Sequence, residues 1–182
     1  VTLAYEAMMF AREAHKAQRR KYTNNPYADH LAEVAGIVST VMTDLTGITA
    51  HHEVIISVAW LHDYIEDCRA ADDPRGSWAW HEIQTRFGDT VADGVAHLSD
   101  GIRLNERTGN RAERKAASRR RLAEVPGWVQ SIKCADLISN TSSIVQHDPK
   151  FAVTYLEEKR LLLDVLTKAD PRLLALAREQ VS

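Results

Sequence analysis

His62, Asp63, Glu66 and Asp67 stand together in WLHDYIEDC, Trp60 to Cys68, directly after the apolar run EVIISVA. On a helix turning about 100° per residue, with His62 at zero, Glu66 falls near ~40°, Asp63 near ~100° and Asp67 near ~140°. Leu61, Ile65 and Val58 take the other side. One sector at the end of a core segment is therefore polar. A bare carboxylate in such a place costs several kcal/mol unless a cation or hydrogen bonds compensate it. Neighbouring carboxylates also repel, so their pKa values rise or a cation joins them. Read alone, HDxxED fits an exposed helix end as well as it fits a site.

Two further segments tilt that balance. IKCADLISN places Asp136 and Asn140 one helical turn apart, among Val129, Ile132, Ala135, Leu137 and Ile138. NNPYADH places His30 at the start of a helix; by itself such a histidine is more often a cap or a surface residue. His30, His62, Asp63 and Asp136 together make a candidate four-ligand metal set. Two imidazoles and two carboxylates suit Mn²⁺, Fe²⁺, Zn²⁺ or Co²⁺ better than calcium or soft metals. Such an ion would polarise a phosphoryl oxygen and acidify a water. Glu66 and Asp67, one turn on, would orient or deprotonate that water.

The elements that must position these residues read as helical almost throughout. Helical spacing of apolar residues predicts helices over Leu3–Arg19, Ala28–Met42 and Glu53–Cys68, with Gly47 and ITAHHE between the last two. RAADDPRGS reads as a loop, followed by short helices near Trp78–Phe87 and Thr90–Leu98. LSDGIRLNERTGN reads as a polar loop. Helices over Arg111–Val125, Trp128–Ile144 and Phe151–Lys168 follow, with a last one after Pro171. No alternating pattern of strand length appears. The expectation is all-α, one domain over residues 1–182.

Composition narrows the function classes. The chain has 182 residues, 45% of them hydrophobic, which suits a globular protein with a sizeable core. No apolar run approaches the roughly 20 residues that span a bilayer, so a membrane protein is not expected. A net charge of −2 argues against a general nucleic-acid binder. Two cysteines, Cys68 and Cys134, are too few for a disulfide framework and fit reduced thiols in the cytoplasm. The amphipathic, acid-containing N-terminus does not read as a signal peptide, although the chain starts without Met. Oligomeric state is left open.

These elements, taken together, resemble the HD superfamily of metal-dependent phosphohydrolases, expected as a helical bundle. Their flanks resemble the hydrolase domain of RelA/SpoT-type stringent-response proteins and their small stand-alone relatives. AREAHKAQRRKY, NNPYADH, AWLHDYIEDC, IQTRFGDTVADGVAHLSD and IKCADLISNTSSI occur in the family's order. The HD pair is unspecific; HDxxED with upstream RRKY and YxxH and downstream KxADLxxN is much more so. The resemblance implies hydrolysis of guanosine tetra- and pentaphosphate alarmones, with pyrophosphate released from the ribose 3′ position and Mn²⁺ as the usual ion. It implies His30, His62, Asp63 and Asp136 as metal ligands and Glu66 and Asp67 as the pair acting on water. It also implies Asn140 beside the ribose and 3′ group, and Arg20 and Lys21 near the base and phosphates. The chain departs from the family at Leu31, where Pro is common, and at Cys134, where Leu is common. Lys150 is the nearest match to a basic residue that some relatives carry after the Asn helix. With no synthetase region, hydrolysis alone is expected.

Between Arg103 and Arg121 lie eight Arg or Lys and two Glu. Arg111, Lys115 and Arg119, spaced i, i+4, i+8, form one cationic face, which alone suits a solvated surface equally well. An alarmone with at least four phosphates raises its functional reading, and Lys115 and Arg119 are placed near the 5′ phosphates. Arg114, Arg120 and Arg121 are less committed. His15 reads as structural and His51 and His52 as loop residues. Other readings are a 5′-nucleotidase or other HD phosphohydrolase, an adenine-alarmone hydrolase, and a non-catalytic nucleotide-binding module.

Overall fold

The computed structural model describes residues 1–42, 49–68, 72–73 and 76–182. Among them the ordered elements are helices: α1 (Leu3–Ala14), α2 (Tyr27–Ser39), α3 (Thr49–Leu61), α4 (Tyr64–Cys68), α5 (Ser77–Phe87), α6 (Asp89–Leu98), α7 (Arg111–Glu124), α8 (Gly127–His147), α9 (Pro149–Leu163) and α10 (Pro171–Glu179), with a 3₁₀ turn at Leu104–Glu106. This is an all-α helical bundle. Extended pairing among these residues is confined to one bridge, Arg19 with Pro26. No described helix is long and apolar enough to cross a membrane.

α3 and α8 carry the architecture. α3 packs against α1, α2, α6 and α8, while α8 also receives α2, α6, α9 and α10. α8 is buried nearly all round, from Val129 through Thr141, so its polar residues must find partners inside the protein. The helix boundaries have local causes. The Thr2 hydroxyl accepts from the Tyr5 N–H at the start of α1. Asn110 and Glu113 form a reciprocal capping box that starts α7. Pro149 and Pro171 open α9 and α10, where a missing N–H costs nothing. Gly88 closes α5 at a φ of 87°, and α6 begins at once. Gly94, in α6, lets the Trp128 ring and Val58 come up against its backbone.

Several boundaries differ from the sequence reading: α9 closes at Leu163 and not at Lys168, and α2 at Ser39 and not at Met42. α1 stops at Ala14, because the segment to Arg20 turns back to pair Arg19 with Pro26. The expected helix over Glu53–Cys68 starts earlier and is broken at His62-Asp63. The Ala59 carbonyl, which a continuing helix would offer to the Asp63 N–H, takes the His62 side chain at 2.7 Å. His51 and His52 therefore lie in α3 and not in a loop. The polar 99–110 segment contains the 3₁₀ turn, and its Glu106 is buried. The separator read at Gly47, and most of the loop read from Arg69, fall outside the described residues.

Candidate active site

The break in the α3–α4 segment aims two side chains at one point. His62 donates its Nδ1–H to the Ala59 carbonyl, which can only accept, so the lone-pair position on Nε2 faces inward. His30, in the first turns of α2, is oriented by a similar argument. Ser139 gives its only proton to Glu33 at 2.7 Å and sits 2.8 Å from His30 Nδ1, so Nδ1 donates and Nε2 is again the inward atom. Both Nε2 atoms are buried without a hydrogen-bond partner among the described residues.

Carboxylates fill the space in front of them. His30 Nε2 lies 3.3 Å from Asp136 and 3.6 Å from Asp63. His62 Nε2 lies 3.0 Å from Asp63 and 3.8 Å from Asp136. Donor atoms of His30, His62 and Asp136 fall within 4.8 Å of one another, the grouping a metal ion needs. Asp63 faces both imidazoles and accepts from the Tyr27 hydroxyl at 2.6 Å. Orphaned nitrogens beside two carboxylates fit a divalent cation. Without one, the imidazoles themselves act as counter-charge: burial lowers the His62 pKa, but Asp63 and Asp136 overcome it and push it up to about 9. Burial likewise raises the Asp136 carboxyl, while Lys133, His30 and His62 pull it back well below the ordinary range. Metal binding at such a site displaces protons.

Around this centre the other expected residues take distinct places. Asn140 donates to Asp136 at 2.7 Å, and Arg20 reaches Asn140 at 3.4 Å. Lys21 is exposed, 4.0 Å from Asp148, and lines a recess with Arg20, Tyr27, Asn140 and Phe151. Glu66 accepts from the Asp100 N–H at 2.9 Å, and burial with Asp100 and Asp63 nearby raises its carboxyl to about 7. Asp67 turns the other way, to Gln18 at 2.8 Å and towards the buried His15. The two acids thus face different neighbours. Arg111, Lys115 and Arg119 line one cavity of about 270 Å³ that reaches Asp136 and Asn140. Within it Lys115 pairs with Asp100 at 3.1 Å and Arg111 with Glu158 at 2.6 Å. Arg121 is 5% exposed, locked to Glu106 and Asp100 at 2.6 and 2.9 Å, and is therefore a structural cation. Lys150 is exposed.

Four residues without an assigned role prove central. Lys133 pairs with Asp136 at 2.8 Å, Tyr27 bonds Asp63, Ser139 orients His30, and Asp100 ties α7 to Glu66. Lys133 and Tyr27 lie inside KxADLxxN and YxxH, so the signal for them was present in the motifs themselves. Asp100 closes IQTRFGDTVADGVAHLSD, but its pairing with Glu66 and α7 joins distant segments and could not be read from the motif.

Comparison with known proteins bears on the fold and the family. A solved structure described as a metazoan ortholog of SpoT that hydrolyzes ppGpp superposes with a TM-score of 0.78, covering 99% of this chain and 94% of its own, at 23% identity. That likeness shows the shared fold. In sequence, the chain is 30% identical over 149 residues to the guanosine-3′,5′-bis(diphosphate) 3′-pyrophosphohydrolase MESH1 of Xenopus tropicalis, spanning 81% of this chain and 73% of that protein. The family model described as HD domain matches residues 7–160, a stretch that includes every residue of the His/Asp cluster, and the chain accordingly belongs to the HD domain family.

Proposed function

We propose that this protein is a pyrophosphohydrolase of guanosine-3′,5′-bis(diphosphate)-type alarmones, working with Mn²⁺ held by His30, His62, Asp63 and Asp136 in a single hydrolase domain. One observation carries the metal-dependent part: two oriented imidazoles present orphaned Nε2 atoms to two carboxylates, buried Asp136 and partly buried Asp63. The substrate class is supported by the MESH1 relative, named for that activity, and by the cation-lined cavity that opens on the same centre. When bound, a divalent ion polarises a phosphoryl oxygen and acidifies a water.

The chain's own groups then divide the work. Glu66, raised to about 7, accepts a proton from the attacking water, and Asp67, the next residue, held by Gln18, is assigned to orienting that water. The water oxygen bonds to phosphorus, the bond from phosphorus to the ribose 3′ oxygen breaks, and that oxygen takes up a proton. Asn140, fixed on Asp136, holds the ribose side of the scissile bond. Arg20 and Lys21 flank the base and neighbouring phosphates, and Lys115 and Arg119 neutralise the 5′ phosphates.

Purified protein with Mn²⁺ should convert guanosine-3′,5′-bis(diphosphate) to guanosine 5′-diphosphate and pyrophosphate, and His62→Ala or Asp136→Ala should abolish the conversion. Intact alarmone after prolonged incubation with metal-loaded protein would reject the proposal. A panel with the adenine analogue and with nucleoside monophosphates separates the related chemistries, since a 5′-nucleotidase releases inorganic phosphate from the latter.

A further inference from the structure

Lys159 is the bulkiest fully buried side chain among the described residues, at 1% exposure. Its ammonium donates to the Thr141 hydroxyl, to Gln180 Oε1 at 2.8 Å and to the Leu137 carbonyl at 3.4 Å. All three N–H groups are used, and every acceptor is neutral. Among the described residues no carboxylate pairs with it. Lys115, Arg111 and Lys133 each hold a carboxylate, so Lys159 differs from those neighbours.

A buried ammonium without a counter-ion costs stability, and an unbranched apolar side chain of similar length would tie α8, α9 and α10 together more cheaply. The place of the charge suggests what offsets that cost. Lys159 lines the same cavity as Arg119, Lys133, Asn140 and Tyr155, and Thr141 links it to the Tyr155 hydroxyl at 3.2 Å.

We propose that Lys159 is a positioning residue whose buried charge serves as counter-ion for a phosphate-bearing part of the substrate in the cavity between α7, α8 and α9. It acts through its field and through Thr141 and Tyr155, not by touching the ligand. The choice of phosphate rests on the proposed alarmone activity; the need for an anion rests on the uncompensated charge. Burial lowers the Lys159 pKa to about 8, against the opposing influence of Cys134 and Asp136. The other charged or titratable groups around it are Lys133 on α8, Tyr155 and Glu158 on α9, Arg178 near the end of α10, Arg111, Lys115 and Arg119 on α7, and Asp100, which lines the same cavity and is held by Lys115 and Arg121.

The test is calorimetric titration of the Mn²⁺-loaded full chain with guanosine 5′-diphosphate, for wild type, Lys159→Met and Lys159→Gln, alongside thermal unfolding. Both variants should bind on the order of tenfold more weakly, the effect of one charge roughly 10 Å away at an effective dielectric near ~20. Lys159→Met should unfold at the wild-type temperature or higher. Wild-type affinity should also decline more steeply than the variants' between pH 7 and 10, as the ammonium loses its proton. Unchanged affinity with a lowered unfolding temperature would make Lys159 a structural strut and overturn the proposal; if Lys159→Met does not fold, Lys159→Gln decides by affinity alone. Failure of the wild type to hydrolyse the alarmone would remove the proposed activity while leaving this binding comparison to be decided on its own readout.

Discussion

The Asp100 N–H donates to the Glu66 carboxylate at 2.9 Å, while the Asp100 side chain is gathered by Lys115, Ser118 and Arg121. One residue thus joins the cationic helix to the acid proposed to act on water. The Asp100 charge is also among the causes that lift Glu66 to about 7, after burial and together with Asp63.

A base works only when deprotonated. Activity should therefore rise with pH through the Glu66 pKa, and Asp100→Asn, which keeps the N–H but removes the nearby charge, should move that rise to lower pH. Glu66→Gln should reduce kcat by roughly 10²- to 10⁴-fold, the usual worth of a positioned general base. A pH–rate profile identical in wild type and Asp100→Asn would separate Asp100 from the titrating group.

Lys133 supplies the opposite kind of lever. Its ammonium pairs with Asp136 at 2.8 Å, and it counters Glu66 as well. Lys133→Met removes one of the cations around Asp136, leaving His30 and His62, and should destabilise the metal-free protein by about 1–3 kcal/mol, up to the cost of breaking a buried pair. The same substitution makes the centre more negative, so divalent-ion affinity should increase. Denaturation in chelator and a metal titration read the two effects, which carry opposite signs.

Much of this centre was legible because metal chemistry restricts residue types. His30, His62, Asp63 and Asp136 stood out as polar groups on apolar helices, and the fold brings them to one point. The break at His62-Asp63 was not legible, since apolar periodicity runs through it unchanged while a side-chain bond to Ala59 interrupts the helix. The partners of the cationic helix were hidden for a different reason. Arg111 and Arg119 share its face, but Arg111 is spent on Glu158 and Lys115 on Asp100, and such pairings depend on segments far apart in the chain. Lys159 falls inside the predicted helix over Phe151–Lys168 with nothing in the sequence to set it apart; only the packing of α8 and α10 against α9 shows that it is buried.

Gly94 tests the packing that holds α6 in place. A Cβ there would lie 2.7 Å from the Trp128 ring and 2.9 Å from a Val58 methyl group. Gly94→Ala should destabilise the fold by about 1–3 kcal/mol, the usual cost of overpacking, despite the gain in helix propensity. Chemical denaturation of the purified variant measures it. Equal or greater stability would mean that Trp128 shifts freely, and the close α3–α6–α8 approach would then not constrain the fold.

Ser139 tests whether His30 is held by its far side. The hydroxyl gives its proton to Glu33 and takes the one on His30 Nδ1, so a three-residue chain fixes which nitrogen faces Asp136. Ser139→Ala removes that link with little change in volume, leaving His30 free to donate from Nε2 to a carboxylate, the tautomer that cannot bind a metal. Mn²⁺ affinity should fall about 10- to 100-fold, the range seen when an outer partner of a metal-bound histidine is lost. Maximal activity should return at saturating Mn²⁺, since the ligands themselves remain. A variant with wild-type affinity would show that burial and the two aspartates orient His30 without Ser139, whereas one that stays inactive at any Mn²⁺ concentration would place Ser139 in the reaction and not only in metal capture.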